Sequence, residues 1–128
     1  MNIQWYPGHM TKTRRQMAED LKFVDLVAEV VDARIPISSR NPDIDTMVGG
    51  KPRMVIFNRA DQADPDQTAA WKAWYRDKRY AVLETDAKTG KGVGQFAAEV
   101  RLALKEKIAQ WKAKGQVGRP VRVMVVGV

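Results

Sequence analysis

The stretch PRMVIFNRAD, Pro52 to Asp61, decides how this chain is expected to fold. Its apolar run, Met54 to Phe57, opens into the polar segment Asn58 to Asp61, which is typical of a buried strand followed by a loop. The segment VDLVAEVVDA, Val24 to Ala33, has the same form. Because 128 residues are the length of one ordinary domain, both strands are expected to lie in one sheet.

Helical patterns alternate with apolar runs along the rest of the chain. We predict helices at about Met10 to Phe23, about Pro65 to Arg79 with Asp64 as its cap, and Val93 to Lys114, which Gly115 ends. Further strands are predicted at Tyr80 to Glu84 and in the closing VRVMVVGV, Val121 to Val128. Strands that alternate with helices predict a mainly parallel sheet covered on both faces, a three-layer, doubly wound α/β fold.

The composition limits the possible partners. A net charge of +7, from 22 basic and 15 acidic residues, favours a polyanion such as RNA or DNA, although a basic surface without a dedicated partner is the alternative. With no cysteine and one histidine, a zinc site is not expected, and any metal would be a hard cation held by oxygens. No apolar run is long enough to cross a membrane and no secretory pattern is present, so we predict a cytoplasmic protein without a membrane partner.

Polar residues follow each predicted strand, where doubly wound sheets bind their ligands. They are Asp32-Ala33-Arg34, Asn58-Arg59-Ala60-Asp61, Thr85-Asp86-Ala87-Lys88 and Gly127-Val128. The spacing assigns no reaction role to the first of these sets. The second and third sets carry the more specific chemistry.

The segment Asn58-Arg59-Ala60-Asp61 suits recognition of guanine. An ionised Asp61 can accept hydrogen bonds from the ring N1–H and from the exocyclic amino group, and adenine offers neither donor on that edge. A carboxylate left unpaired by the wrong base can discriminate by about 10⁴-fold. The stem of Arg59 can lie over the purine, and Asn58 can tie the loop or reach the base. The alternative is a polar turn followed by a helix cap.

The loop after the next strand supports the same interpretation. A backbone N–H near Ala87 can bond to the guanine O6, and the stem of Lys88 can cover the other face of the base. Two loops from adjacent strand ends would then hold one purine. Taken alone, TDAKTGKG is also a generic Gly-rich turn into a helix.

These two motifs resemble the guanine-specificity pair of GTPases, which is normally Asn-Lys-x-Asp followed by Ser-Ala-Lys. In most GTPases the pair comes after the phosphate loop, whereas here it precedes a closing strand whose Gly127 stands where that loop would begin. This order resembles the circularly permuted GTPases. The segments IQWYPGHM and VVDARIP resemble their ribosome-assembly branch, the YlqF/RbgA ribosome biogenesis family, and the similarity covers residues 2–128.

The resemblance implies a P-loop NTPase-like fold and a GTP hydrolase. GTP or GDP and Mg²⁺ would be its cofactors in the complete protein, and the precursor of the large ribosomal subunit with its rRNA would be its partners. The residues that would bind the nucleotide are Asn58, Arg59, Asp61, Thr85, Asp86, Ala87, Lys88 and Gly127. Arg59 replaces the usual lysine and Asp86 stands in place of the serine, and we expect base binding to survive both changes.

No GxxxxGK[ST] and no DxxG motif occurs in these residues. We therefore expect residues 1–128 to form one domain that is the base-recognition half of the GTPase, with the phosphate loop and later elements absent. Positioning and charge neutralisation at the phosphates dominate GTP hydrolysis, so this chain alone is predicted to be inactive. A noncatalytic RNA-binding or scaffold module, with relic nucleotide loops, is the rival class.

His9, in IQWYPGHM, is the candidate catalytic residue, because the histidine of the PGHM motif is implicated in hydrolysis in the family that the chain resembles. Imidazole can orient a water near neutral pH, and Pro7-Gly8 favours a tight turn that aims it. The alternative is a histidine that caps or packs at the start of the first helix. Trp5 and Tyr6 have two interpretations, RNA stacking or core packing, and packing is favoured for Trp5.

A basic run near the end of the chain also has two interpretations. Its members are Lys105, Lys107, Lys112, Lys114, Arg119 and Arg122. The simpler interpretation is a solvated helix face, and contact with RNA is the alternative.

Overall fold

The fold is a parallel β-sheet between two layers of helices, seen in a computed structural model that describes residues 1–7, 11–36, 43–86 and 88–127. The strands are β1 (Asn2–Pro7), β2 (Leu26–Asp32), β3 (Arg53–Asn58), β4 (Ala81–Thr85) and β5 (Arg122–Gly127). They form one sheet in the order β1-β5-β2-β3-β4, and every pairing is parallel.

The helices are α1 (Thr11–Asp20), α2 (Asp43–Val48), α3 (Pro65–Asp77), α4 (Phe96–Ala103) and α5 (Lys105–Ala113). Single turns of 3₁₀ helix lie at Leu21–Phe23, Ala60–Gln62 and Val93–Gln95. None of the helices within the described ranges is both long and apolar enough to cross a membrane.

Side chains that alternate along the strands form two cores, one on each face of the sheet. The core between the sheet and helices α4 and α5 includes Leu26, Met54, Leu83, Val100, Leu104 and Val123. The core between the sheet and helices α1, α2 and α3 includes Met17, Val48, Val55, Phe57, Tyr75 and Met124. Because the strands are apolar on both sides, they read in the sequence as continuous runs. The predicted three-layer, doubly wound α/β fold is confirmed.

The carboxyl ends of the strands meet at one edge of the sheet, which we call the carboxyl edge. Asn58 is level with both Asp32 and Thr85, and Gly127 is level with Val30 and Pro7. The chain runs outward from β2 through β3 to β4 and then returns to β5 on the other side of β2. That reversal of strand order opens a crevice at this edge.

Two elements were not predicted from the sequence. β1 forms an edge of the sheet and pairs only with β5, so its strand character depends on a partner more than a hundred residues away. α2 has six residues, fewer than two turns, which is too short to show a helical period. Both depend on tertiary contacts more than on local pattern.

The single helix predicted from Val93 to Lys114 is wrong in detail. Its first turn is 3₁₀, and Leu104, with φ −102° and ψ 15°, separates α4 from α5. Hydrogen bonds still continue across the break, from Leu104 N–H to the Val100 carbonyl and from Ile108 N–H to the Leu104 carbonyl. The resulting bend leaves Leu104 buried while Ile108 and Trp111 pack on the same core.

Candidate nucleotide-binding site

The first loop of the site turns sharply after β3. Asn58 ends the strand, and Arg59 takes a left-handed backbone conformation with φ 58° and ψ 36° before the 3₁₀ turn Ala60–Gln62. The carbonyl of Asn58 accepts from the N–H of Ala33, and its side-chain oxygen lies 3.3 Å from the donating Thr85 hydroxyl. Asn58 therefore ties together the loops that follow three adjacent strands.

Asp61 is the carboxylate of this loop that is open to a ligand. Its side chain is exposed, and no residue in the described ranges forms a hydrogen bond or an ion pair with it. The helix cap is Asp64, whose carboxylate accepts from the N–H of Asp66 at 2.9 Å, as predicted. The structure thus contains the turn and the following cap of the alternative interpretation, and the carboxylate of Asp61 takes no part in capping α3.

The second loop is held by Asp86, whose carboxylate is already occupied. One oxygen accepts from the N–H of Lys88 at 3.1 Å and the other from the Thr89 hydroxyl at 2.7 Å. The Thr89 hydroxyl is the main reason that the pKa of Asp86 lies below its ordinary value, although desolvation opposes the shift. The backbone of Asp86 also bonds to Lys91 and Gly90. Asp86 thus stabilises the turn that presents Lys88.

Gly92 lets this loop fold back onto β4. Its φ is +80°, and a Cβ at this position would lie 2.1 Å from the Glu84 carbonyl oxygen. No other residue type fits there without a shift of backbone. The glycine-rich composition of TDAKTGKG therefore reflects a specific close approach at Gly92 and not only flexibility.

A cavity of about 140 Å³ lies between the two loops. Its walls are formed by Ala60, Asp61, Glu84, Thr85, Asp86 and Lys91. Of the predicted site residues, the structure brings Asp61, Thr85 and Asp86 together on these walls and joins Asn58 to Thr85. Arg59 and Lys88 are exposed beside it. Ala87 lies outside the described residues.

Asp32, at the end of β2, is paired within its own turn. The Arg34 guanidinium contacts both carboxylate oxygens, at 2.7 to 3.3 Å, and the Arg34 N–H bonds to one of them. Arg59 adds a more distant cation at 4.0 Å. The hydrogen bond from the Arg34 side chain is the main cause that lowers the pKa of Asp32. The Asp-Ala-Arg segment therefore locks its own loop beside Asn58.

Gly127 occupies the crowded middle of the carboxyl edge. Its φ is +109°, and a Cβ would lie 2.3 Å from the Val30 carbonyl oxygen. Its other neighbour is Pro7, the last residue of β1. His9 and Val128 lie outside the described residues. The position of β1 next to β5 was the feature that sequence reasoning missed.

No group of three or more His, Asp or Glu residues in the described ranges is arranged to hold a metal ion. The carboxylates nearest the cavity support this: Asp86 is bonded within its turn and Asp61 stands alone.

An all-parallel sheet that reverses its order beside β2, with polar loops along the carboxyl edge, defines a P-loop NTPase-like α/β fold. A scan against protein-family models gives no match. Two curated bacterial proteins named Ribosome biogenesis GTPase A match the whole chain. The protein from Bacillus cereus is 45% identical over 128 residues and that from Priestia megaterium 47% identical over 129 residues.

The chain spans less than half the length of these relatives, 43% and 45% respectively. Among solved structures, GNP-bound YlqF from T. maritima superimposes with a TM-score of 0.60 at 26% identity, over 91% of this chain and 42% of that one. Over its whole length, the chain is thus homologous to part of the ribosome biogenesis GTPase A (YlqF) proteins. The resemblance found in the sequence is confirmed.

Proposed function

We propose that this chain is the guanine-reading part of a GTP-binding protein that acts in assembly of the large ribosomal subunit. The observation that carries the base assignment is Asp61, a carboxylate without a partner in the described structure, on the wall of a cavity between two loops. The exposed Asp61 carboxylate has no protein donor in the described structure, and the two N–H donors of guanine, at N1 and at the exocyclic amino group, match its two oxygens. GNP-bound YlqF, with the same fold, supports a guanine nucleotide as the ligand.

The other loop residues have supporting roles in this proposal. Asn58 holds the two loops together through Thr85, and Asp86 holds the turn that carries Ala87 and Lys88. The stem of Arg59 on one side and that of Lys88 on the other cover the faces of the base. Asp86 therefore acts by position and not by direct contact with guanine.

Gly127 lies level with Val30 at the reversal of strand order, in the crevice where sheets of this type bind phosphates, and we place the phosphates of the nucleotide, with Mg²⁺, beside it. His9 is the proposed hydrolytic residue, supported by the end of β1 beside Gly127. In any hydrolytically active protein that carries these residues, His9→Ala should lower kcat and leave GDP affinity unchanged. A loss of GDP affinity with unchanged kcat would contradict this role.

The ribosomal part of the proposal is supported by the names of the two bacterial relatives and by the net charge of +7, which suits contact with rRNA. A cytoplasmic location is part of the same proposal. The rival is a noncatalytic RNA-binding or scaffold module in which the nucleotide loops have no ligand. A preference for GDP over ADP is expected of the GTP-binding protein and not of the noncatalytic module.

The test is a titration of the chain with GDP and with ADP in which binding is monitored by NMR chemical shifts, at concentrations where weak binding is measurable. We expect GDP to bind in preference to ADP, with shifts centred on Asp61 and Thr85. Asp61→Ala should weaken GDP binding by about 10- to 100-fold, because a hydrogen bond to a charged group contributes about 1.5 to 3 kcal/mol.

Asp77→Ala is the matched control, since Asp77 is an exposed aspartate at the other end of α3, away from the carboxyl edge. It should leave the preference for GDP unchanged. If GDP and ADP bind equally, or if Asp61→Ala and Asp77→Ala behave alike, the base-pocket assignment is wrong and the rival class leads.

A further inference from the structure

The excess positive charge of this chain is concentrated in one segment. Residues 101–122 contain seven of the 22 lysines and arginines but only one of the 15 acidic residues, Glu106. They comprise the end of α4, all of α5 and the loop that leads into β5. The segment therefore holds nearly all of the net charge of +7.

A cavity of about 470 Å³ lies within this segment, between α5 and the loop before β5. Its walls include apolar surface from Ile108, Trp111 and Pro120 and three cations, Arg101, Lys112 and Arg119. No acidic residue lines it in the described structure. We call it the basic cavity. It lies at the start of β5, so it is at the opposite end of the sheet from the carboxyl edge.

Arg119 is held in a fixed orientation in the basic cavity. Its guanidinium stacks on Trp111, with 4.0 Å between the guanidinium carbon and the ring centroid, and donates to Asp25 at 3.3 Å. Asp25 is itself anchored, since it is buried and its other oxygen accepts from the N–H of Arg122 at 2.9 Å. The Arg119 side chain remains 39% exposed. The result is a planar cation that is oriented before any ligand binds.

We propose that the basic cavity binds single-stranded RNA. One base stacks on the Arg119 guanidinium, and neighbouring phosphates contact Arg101 and Lys112. An acidic protein surface would match the charge but would leave the stacked Arg119 and the apolar wall without a role. The proposal rests on the RNA-partner part of the proposed function and involves none of the guanine-binding residues.

The first test measures binding of a fluorescently labelled, single-stranded oligouridine to the chain at several salt concentrations. Arg101→Gln with Lys112→Gln should weaken binding about tenfold and reduce the slope of log K against log salt by roughly 0.7 for each lost phosphate contact. The matched control is Arg76→Gln with Lys78→Gln, which removes the same charge from exposed positions at the end of α3, on the other face of the sheet. Equal loss of affinity in both double variants would overturn the assignment to the cavity.

The second test separates stacking from charge. Arg119→Lys keeps the positive charge but removes the planar guanidinium on which a base could stack. Oligouridine binding should therefore weaken about tenfold, while binding of heparin, a polyanion without bases, should stay unchanged. An unchanged affinity for oligouridine, or an equal loss for heparin, would contradict RNA stacking and favour a general polyanion or acidic partner. Thermal unfolding of each variant checks that it is folded at the assay temperature. The preference for GDP over ADP, measured on the same variants, should be unchanged, which keeps this proposal separate from the guanine site.

Discussion

At the scale of single residues, three carboxylates near the carboxyl edge have different tasks. Asp32 is paired with Arg34, Asp86 is bonded to Lys88 and Thr89, and Asp61 has no partner in the described structure. The position of Asp64 before Pro65 predicted the cap, whereas Asp61 was predicted as the base reader from its spacing together with the second loop and the resemblance to GTPases. The sequence could not predict that the carboxylate of Asp86 bonds to Lys88 and Thr89 within its own turn. Those bonds depend on how the loop folds back onto β4 at Gly92.

Removal of the Thr89 hydroxyl should raise the pKa of Asp86 toward its ordinary value of about 3.9, because that hydroxyl is the main cause of the lowered value. Carboxyl-carbon NMR titration of Thr89→Ala measures this directly. Asp32, whose lowered pKa depends on Arg34, is the internal control and should titrate as before.

The same shift has a consequence for stability. Because the folded pKa of Asp86 is lowered, the ionised turn stabilises the fold above the unfolded pKa of about 3.9, and this contribution is lost as the pH falls through the folded value. Thr89→Ala should therefore destabilise the protein more at neutral pH than in strong acid. A difference in unfolding free energy that does not depend on pH would contradict the assignment.

At the scale of elements, four of the five strands follow from continuous apolar runs, since both faces of each are covered. β1 and α2 do not, because an edge strand and a six-residue helix are defined by what they contact. The break between α4 and α5 at Leu104 could not be predicted, because no glycine or proline lies at that position. The loops were predicted in position, but their closure onto the strands depends on backbone contacts.

Gly92→Ala should destabilise the protein by about 1 to 3 kcal/mol, because the new Cβ meets the Glu84 carbonyl and the backbone has a positive φ. Gly94→Ala is the matched control, since nothing lies within 4 Å of a Cβ at that position. Urea unfolding of the two variants provides the comparison. Equal stability would show that the loop does not approach β4 as described.

At the scale of the whole molecule, the fold places two proposed sites at opposite ends of one sheet. The proposed base site lies at the carboxyl edge, and the proposed RNA site is the basic cavity at the amino end. The strand order β1-β5-β2-β3-β4 brings the start and the end of the chain side by side, with Pro7 level with Gly127. The adjacency of β1 and β5 is long-range in sequence, so it could not be predicted from local pattern.

The 128 residues by themselves should release no phosphate from GTP above the uncatalysed background, because they contain no GxxxxGK[ST] sequence to position and neutralise the phosphates. A phosphate-release assay with and without Mg²⁺ measures this. Magnesium-dependent turnover that is lost in Asp61→Ala would show that the chain handles the phosphates itself.

The base preference of Asp61→Asn tests most directly whether Asp61 reads guanine. Xanthine has a carbonyl where guanine has its amino group, so an amide that donates at that position and accepts from N1–H matches xanthine. We expect Asp61→Asn to bind XDP more tightly than GDP, while the wild-type chain and Asp77→Asn keep the preference for GDP. An Asp61→Asn chain that still prefers GDP would show that Asp61 does not read the base.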